Sequence, residues 1–453
     1  STLTGTAPLN ASLDASALPY VQPYDSYVGE PAVDDPARLR FSLGEGGGEL
    51  FGLSPGTATL TLTDPSPQHP ASARIDIEVA EPPTLLALKA DRLVRRTATA
   101  DVTVPIAANI GTPRRVLWES SRDATVVVGT TGVAVYFADG GSAVHAIPCG
   151  AVAIRSAALT DARAERGRAD ADMALLVEDA TAAVRYCEID PISGDAVVAA
   201  QTIPLGSCAG APTELVVDPL TGVRAALTAG CISRFVVTAG TLTGLDSRAN
   251  AGLTAAPSHA VLDAYGAAAI VLTSSQPPLA GSWGIGLDLP VGGPFVIAGQ
   301  DGTHASAIAV DPLRGAQIIA GFSQASASDP KVATLFSVAN RFGTNVSATS
   351  RRSTALGSLS FDRLAVDASH RLLYAADNGV APALWTFPLD SVHAGSAFDV
   401  GTRRVWLDAT PVVDLAIAGP QALALSPSTA EPGALATIAG LGFAGRGRDE
   451  VFV

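Results

Sequence analysis

Apolar residues along this chain fall in short runs, not at helical spacing. Val, Ala, Leu and Ile cluster over a few residues and are then interrupted by Gly, Pro, Asp or Ser. The segment Ala58-Thr59-Leu60-Thr61-Leu62-Thr63 alternates apolar with polar, the pattern of a strand with one buried face. The segment Thr125-Val126-Val127-Val128-Gly129 is a second of these short runs, ended by glycine. No long segment places apolar residues at i, i+3, i+4 and i+7. Many short strands separated by turn chemistry predict an all-β chain built as sandwiches, a barrel or a propeller.

One unit recurs. Glu214-Leu215-Val216-Val217-Asp218-Pro219-Leu220-Thr221-Gly222 parallels Ala307-Ile308-Ala309-Val310-Asp311-Pro312-Leu313-Arg314-Gly315. Looser copies run through Asp263 and Asp367. In each, a strand ends on Asp, and a second apolar strand follows. Asp accepts from the backbone two residues on, Pro presets φ, and Gly closes the turn, so each unit reads as a hairpin. The corner residues Asp218, Asp263, Asp311 and Asp367 lie 45, 48 and 56 residues apart. Such a period, with four strands per unit, is the signature of a β-propeller. Residues 97–417 then supply about seven blades, with six or eight as alternatives.

Length and charge narrow the function classes. The 453 residues exceed one ordinary core, so two or three domains are expected. With 47% hydrophobic and 16% charged residues the chain is rich enough to fold. A net charge of −14 repels phosphate backbones, which argues against nucleic acid as a partner. No apolar run reaches the length of a membrane-spanning helix.

Three stretches carry family resemblances. Gly52–Leu62 followed by Ala73–Val79 resembles the last two strands of bacterial Ig-like domains of the group 2 type, which implies an Ig-like β-sandwich over residues 1–84, with Glu81-Pro82-Pro83 as a linker. Leu373-Tyr374-Ala375-Ala376-Asp377-Asn378-Gly379, followed by Ala383–Phe387, resembles a blade of the YVTN and lactonase-like propellers. Ala424–Ser428 with Gly433–Phe443 resembles the opening of an IPT/TIG domain, which implies a partial Ig-like module over residues 420–453 with an open sheet edge. Together these imply a non-enzymatic extracellular or cell-surface scaffold or binding protein, adhesin-like or serving envelope assembly. Its partner would be a protein or glycan at the cell surface. The alternative implied by the same propeller family is a hydrolase with a metal in its central channel.

Candidate chemistry is sparse. The six histidines form no H-x-H or H-x-x-x-H pair. Gly44–Gly48 lacks the Lys-Ser/Thr of a phosphate loop, and no G-x-S-x-G elbow occurs. The charged stretch Asp161–Asp172 reads as an exposed loop, short of the ligand set of a calcium site. No catalytic residue, metal ligand or cofactor is therefore assigned. Trp118, Trp385 and Trp406 fall in strands as packing residues, whereas Trp283 falls in a Pro- and Gly-rich loop and is the candidate ligand anchor. Cys149, Cys187, Cys208 and Cys231 form no C-x-x-C pair. Two disulfides are expected, with buried free thiols as the alternative. Extending the 214–228 hairpin, whose opposed residues sum to about 440, brings Cys208 nearly opposite Cys231. Cys149 pairs with Cys187 by elimination. Such bonds persist in oxidising compartments, which favours export.

Overall fold

The computed structural model describes residues 2–7, 12–14, 32–44, 47–52, 56–64, 71–79, 84–96, 101–119, 122–137, 140–147, 149–160, 172–218, 221–249, 254–263, 268–274, 280–284, 303–311, 316–323, 332–338, 348–352, 361–368, 372–379, 382–389, 392, 403–405, 410–419, 421–426 and 437–441. Among the described residues the chain is all-β, arranged as several small, mostly antiparallel sheets. Helical residues among those described are limited to the single turn Ala108–Ile110 and to Leu389 and Val392.

The N-terminal strands form two sheets. One contains Thr2–Ala7, Ala71–Val79, Gly56–Asp64 and Ala32–Val33; the other contains Ser12–Asp14, Gly47–Gly52 and Leu39–Gly44. Thr2–Ala7 runs parallel to Ala71–Val79, while the other pairs are antiparallel. The alternating strand at 58–63 buries Ala58 and Leu60. Near the other end, Gln421–Ser426 pairs antiparallel with Thr437–Leu441 as a two-stranded hairpin.

Between them lie seven consecutive sheets. The second, third and fourth are meanders that open with Pro113–Glu119, Ala153–Leu159 and Glu214–Val217. The fifth has the three strands Pro257–Asp263, Ala268–Thr273 and Ala280–Gly284 among the described residues. The sixth and seventh open with Thr303–Asp311 and Phe361–Asp367. The first is discontinuous. Thr84–Lys89, Arg92–Arg96 and Asp101–Pro105 are completed by Val412–Ala418, which pairs antiparallel with Thr84–Lys89. Thr84–Lys89 and Arg92–Arg96 thus share a sheet with strands that lie after residue 97. The run Thr84-Leu85-Leu86-Ala87-Leu88-Lys89 carries none of the corner Asp chemistry by which the repeat was read, so its membership was not visible.

Hydrophobic clusters fill the spaces between successive sheets, and this explains why the strands read as continuous apolar runs. Val126 and Val128 pack with Leu175 and Val177 of the third sheet, while Val127, pointing the other way, packs with Leu86 and Leu88 of the first. Ala174 and Leu176 pack with Leu215 and Phe235 of the fourth sheet. Each fully buried Val or Leu contributes about 1.5–3 kcal/mol relative to exposure. A strand that is apolar on both faces must be covered on both faces.

The corner residues sit at one register position. Asp263, Asp311 and Asp367 each end the first strand of a sheet, and Asp218 directly follows Val217, the last residue of its own. At Asp218 the N–H donates to the Val223 carbonyl, the Gly222 N–H returns to the Asp218 carbonyl, and the Thr221 hydroxyl donates to its carboxylate at 2.5 Å. Asp218, Asp311 and Asp367 are buried.

Candidate functional site: a polar girdle on the first strands

Four residues before each corner lies a second shared position. Its occupants are Arg115, Ser156, Glu214, His259, Ala307, Arg363 and Asp414, one from each sheet. They pair respectively with Val128, Leu176, Leu227, Leu272, Ala320, Ala376 and Leu88 of the second strands. In six of the seven sheets a register shift immediately precedes this residue, leaving Arg114, Arg155, Ser258, Ser306, Asp362 and Val413 as the extra residue of a bulge. A bulge re-aims the neighbouring side chains and increases local twist. Here it does so at the same place on strand after strand, and six of the seven occupants are polar.

These side chains meet across sheets. Arg115 Nη1 donates to the Ala157 carbonyl at 2.8 Å and to Ser156 Oγ at 3.4 Å. Its Nη2 donates to the Ala260 carbonyl of the fifth sheet at 2.9 Å. The same guanidinium stands 3.6 Å from Glu214 Oε2, which accepts from Ser156 Oγ at 2.9 Å. One arginine of the second sheet thus touches groups from the third, fourth and fifth. Asp414 Oδ2 accepts the Val116 N–H at 2.9 Å, tying the first sheet to the second. Arg363 Nε donates to the Val413 carbonyl at 2.5 Å and its Nη1 to the Asp362 carbonyl at 2.6 Å.

The electrostatics follow from burial among guanidiniums. Burial pushes the Asp414 carboxyl above the usual carboxylate range, against the opposing pull of Arg115, the Val116 N–H and Arg363. Burial raises Glu214 in the same way, against Arg115 and Ser156, and Asp414 adds to the rise. Burial first, then the positive fields of Arg115 and Arg363, push the His259 imidazole down to about 3. His259 is therefore neutral at physiological pH, with one N–H donor and one acceptor nitrogen. Among the described residues, no three His, Cys, Asp or Glu side chains gather as a metal site.

No family model matches the chain, and no curated protein matches it. Among solved structures, a functionally unknown protein from Desulfotomaculum acetoxidans is similar at 12% identity and a TM-score of 0.48, with 74% of this chain and 99% of that one covered. Sqt1 from Chaetomium thermophilum is similar at 11% identity and a TM-score of 0.41, covering 68% of this chain and 75% of that one.

A second charged cluster lies between the third and fourth sheets and is sealed. Arg224 Nη2 donates to Glu188 Oε1 at 2.7 Å and its Nε to the Tyr186 hydroxyl at 3.1 Å, with all three residues buried. The Tyr186 hydroxyl donates to the same Glu188 oxygen, and Arg224 Nη1 to the Gly222 carbonyl. Burial, reinforced by the Glu188 charge, holds the Tyr186 hydroxyl well above the usual phenol value.

The cysteines and Trp283 complete the residues singled out in the sequence. Disulfides join Cys208 to Cys231 and Cys149 to Cys187, with Cα–Cα distances of 5.5 and 6.6 Å. The register expected to carry the first bond is corrected. The hairpin extends only to Thr213, whose N–H donates to the Leu227 carbonyl. Gly210 and Pro212 then interrupt it, and Cys208 lies in a turn, its N–H bonded to the Leu205 carbonyl at 2.9 Å. The bond ties that turn to the start of the third strand, Cys231–Thr238. Trp283 is also corrected from loop to strand. It lies in Ala280–Gly284, opposite Ala269. The central strand Ala268–Thr273 supplies the hydrogen-bonding partner that the Gly-flanked Ala280-Gly281-Ser282-Trp283-Gly284 run does not advertise. Trp118 and Trp385 occupy strands; Trp385 stacks on Phe387, with ring centroids 6.1 Å apart. His69, His370, His393, Trp406, the 161–171 stretch and the 81–83 linker lie outside the described residues.

Proposed function

We propose that this chain is a non-enzymatic, exported binding or scaffold protein, built as a seven-bladed β-propeller between an Ig-like module and the start of an IPT/TIG module. The observation that carries the reading is the pairing of Val412–Ala418 with Thr84–Lys89, which uses a late strand to complete the earliest of seven consecutive sheets. Contact between first strands runs from each sheet to the next and returns from Phe361–Asp367 to Val412–Ala418 and from there to Pro113–Glu119. Radial repetition of sheets leaves only short, protected edges and makes a rigid platform.

Export is supported by the two disulfides and by the chemistry that preserves them. Among the described residues no helix is long and apolar enough to cross a membrane. The scaffold reading is further supported by how charge is used. The Asp218 carboxylate serves its turn, and the sealed Tyr186–Glu188–Arg224 cluster serves packing. The partner is a protein or glycan of the cell surface.

Cell fractionation of the source organism, followed by mass spectrometry of the unreduced protein, tests this. Recovery outside the cytoplasm with both disulfides intact is expected. Recovery from the cytoplasm with four free thiols would overturn it. The metal-dependent hydrolase reading is tested by elemental analysis of the same material: a stoichiometric divalent metal lost on Asp414→Asn would replace the scaffold reading.

A further inference from the structure

The seam between the seventh sheet and the first is built differently from the seam between the second and the third. Between the second and third sheets the link is backbone to backbone: the Ile154 N–H donates to the Thr130 carbonyl at 2.9 Å. Asn378 holds the place of Thr130, one residue beyond the partner of the residue that opens the first strand. Val412 holds the place of Ile154, directly before the bulge. There a side chain takes over the link. The Val412 N–H donates to Asn378 Oδ1 at 2.8 Å, and Asn378 Nδ2 donates to the Val412 carbonyl at 2.8 Å. A carboxamide carries a donor end and an acceptor end, so one side chain completes both bonds. The Asn378 N–H itself donates to Asp362 Oδ2 at 3.3 Å.

The same residue opens the one Asn-Gly pair in the sequence. Asparagine before glycine is prone to a reaction with its own backbone, because glycine has no Cβ to hinder the approach of its nitrogen to the preceding side chain. Gly379 N bonds to Asn378 Cγ, the Cγ–Nδ2 bond breaks, and Nδ2 leaves as ammonia with the proton that Gly379 N gives up. Water then opens the cyclic imide. Its hydroxyl goes to one of the two imide carbonyls and its proton to the nitrogen, which leaves aspartate or isoaspartate. In the folded chain both reacting groups are held. Val412 clamps the carboxamide at each end, and the Gly379 N–H donates to Asp377 Oδ1 at 2.9 Å. We propose that Asn378 is a self-modification site guarded by the closed seam, and that its conversion releases the seam irreversibly. Aspartate or isoaspartate replaces the Nδ2 donor with a carboxylate oxygen, which cannot bond the Val412 carbonyl and repels it. The seam geometry carries this whatever the chain binds.

Peptide mapping of the full chain, aged in mildly alkaline buffer with both disulfides intact, tests the site. The same chain aged in guanidinium chloride supplies the unguarded rate. Conversion of Asn378 to aspartate and isoaspartate is expected in the denaturant, and at least about tenfold more slowly in the folded chain, where it must wait for local opening. Val412→Pro removes the N–H that holds Oδ1, at the first position of its strand, where proline is tolerated, and is expected to speed conversion in the folded chain. The folded and unfolded parent chains decide the point without it should that variant fail to fold. Asn378→Asp reproduces the product and tests the release. Hydrogen exchange across Val412–Ala418 is expected to quicken by about tenfold or more, the scale of one lost bond to a buried carbonyl. Equal conversion in the folded and unfolded chains, or no acceleration in folded Val412→Pro, would overturn the guard. Absence of conversion in the denaturant would overturn the site, and unchanged exchange in Asn378→Asp would overturn the release.

Discussion

Two charged clusters in this protein draw on the same residue types with opposite results. Between the third and fourth sheets, Arg224, Glu188 and Tyr186 bond to one another and are shut away from water. On the first strands, Arg115, Glu214, Arg363 and Asp414 bond mostly to backbone groups and to strands of other sheets. The difference lies in where the strands put them. The first cluster projects from second and third strands into a space already closed by two apolar faces, so every polar atom must find a partner there. The second projects from first strands behind a bulge, where several sheets converge and no single neighbour satisfies a whole side chain. The sealed cluster is committed to stability; the girdle ties one sheet to another.

Breaking the sealed cluster should cost most. Glu188→Ala leaves Arg224 buried without its carboxylate, and loss of one partner of a buried pair destabilises by about 3–5 kcal/mol. Urea titration should show a large fall in midpoint with little change in slope. Replacing both partners together, as Glu188→Leu with Arg224→Met, should cost far less, because the penalty belongs to the orphaned charge. Equal losses in the single and double variants would contradict the assignment.

The disulfide between Cys208 and Cys231 ranks next. The pair Cys208→Ser with Cys231→Ser opens a loop of separation 23, worth about 3 kcal/mol in the chain-entropy model. Denaturation of the variant against the oxidised parent measures this. A loss below about 1 kcal/mol would mean that the turn around Cys208 is held by other contacts.

Single girdle substitutions should cost least. In Glu214→Gln, Arg115 keeps its carbonyl partners at Ala157 and Ala260, so about 1 kcal/mol or less is expected at neutral pH. The girdle should instead reveal itself through pH. His259 is neutral in the fold down to about 3 but protonates in the unfolded chain near 6.5. Between those values the unfolded state binds more protons, so this group's contribution to stability is present above 6.5 and is lost as the pH falls. Glu214 and Asp414 act oppositely. Their raised folded values mean that the fold binds the extra proton, so their contribution grows as the pH falls from the raised values toward the ordinary carboxylate range. Stability curves of the parent and His259→Gln isolate the histidine. The parent should lose more stability than the variant between about pH 6.5 and 4, and parallel curves would contradict the buried, neutral ring.

The legible part of this fold was its turn chemistry. Asp-Pro-x-x-Gly marks the corners at Asp218 and Asp311. The same pattern at Asp190-Pro191-Ile192-Ser193-Gly194 closes the loop between the third and fourth strands of the third sheet, with the equivalent Gly194-to-Asp190 backbone bond. Local chemistry thus names a turn without saying which turn of a sheet it is. The girdle was hidden for a different reason. Its occupants are Arg, Ser, Glu, His, Ala, Arg and Asp, with nothing in common but position. Counting back four residues from the corners at Asp218, Asp263, Asp311 and Asp367 would have found Glu214, His259, Ala307 and Arg363. Arg115, Ser156 and Asp414 could not be reached that way, because Glu119, Thr160 and Ala418 stand where their corner Asp would be. The first sheet was hidden because its strands lie more than 300 residues apart, and pairing at that distance leaves no local mark.

The register between Thr84–Lys89 and Val412–Ala418 bears the weight of the account, and cross-linking reads it directly. Leu86 lies opposite Ala416, whereas Leu415 lies opposite Ala87. The double variant Leu86→Cys with Ala416→Cys should form a new disulfide in the folded, oxidised chain, found by peptide mapping beside the two native bonds. Leu86→Cys with Leu415→Cys, displaced by one residue and facing the other side of the sheet, should not. Equal cross-linking in both variants, or none in the first while the chain stays folded, would contradict the joining of the earliest and latest strands into one sheet.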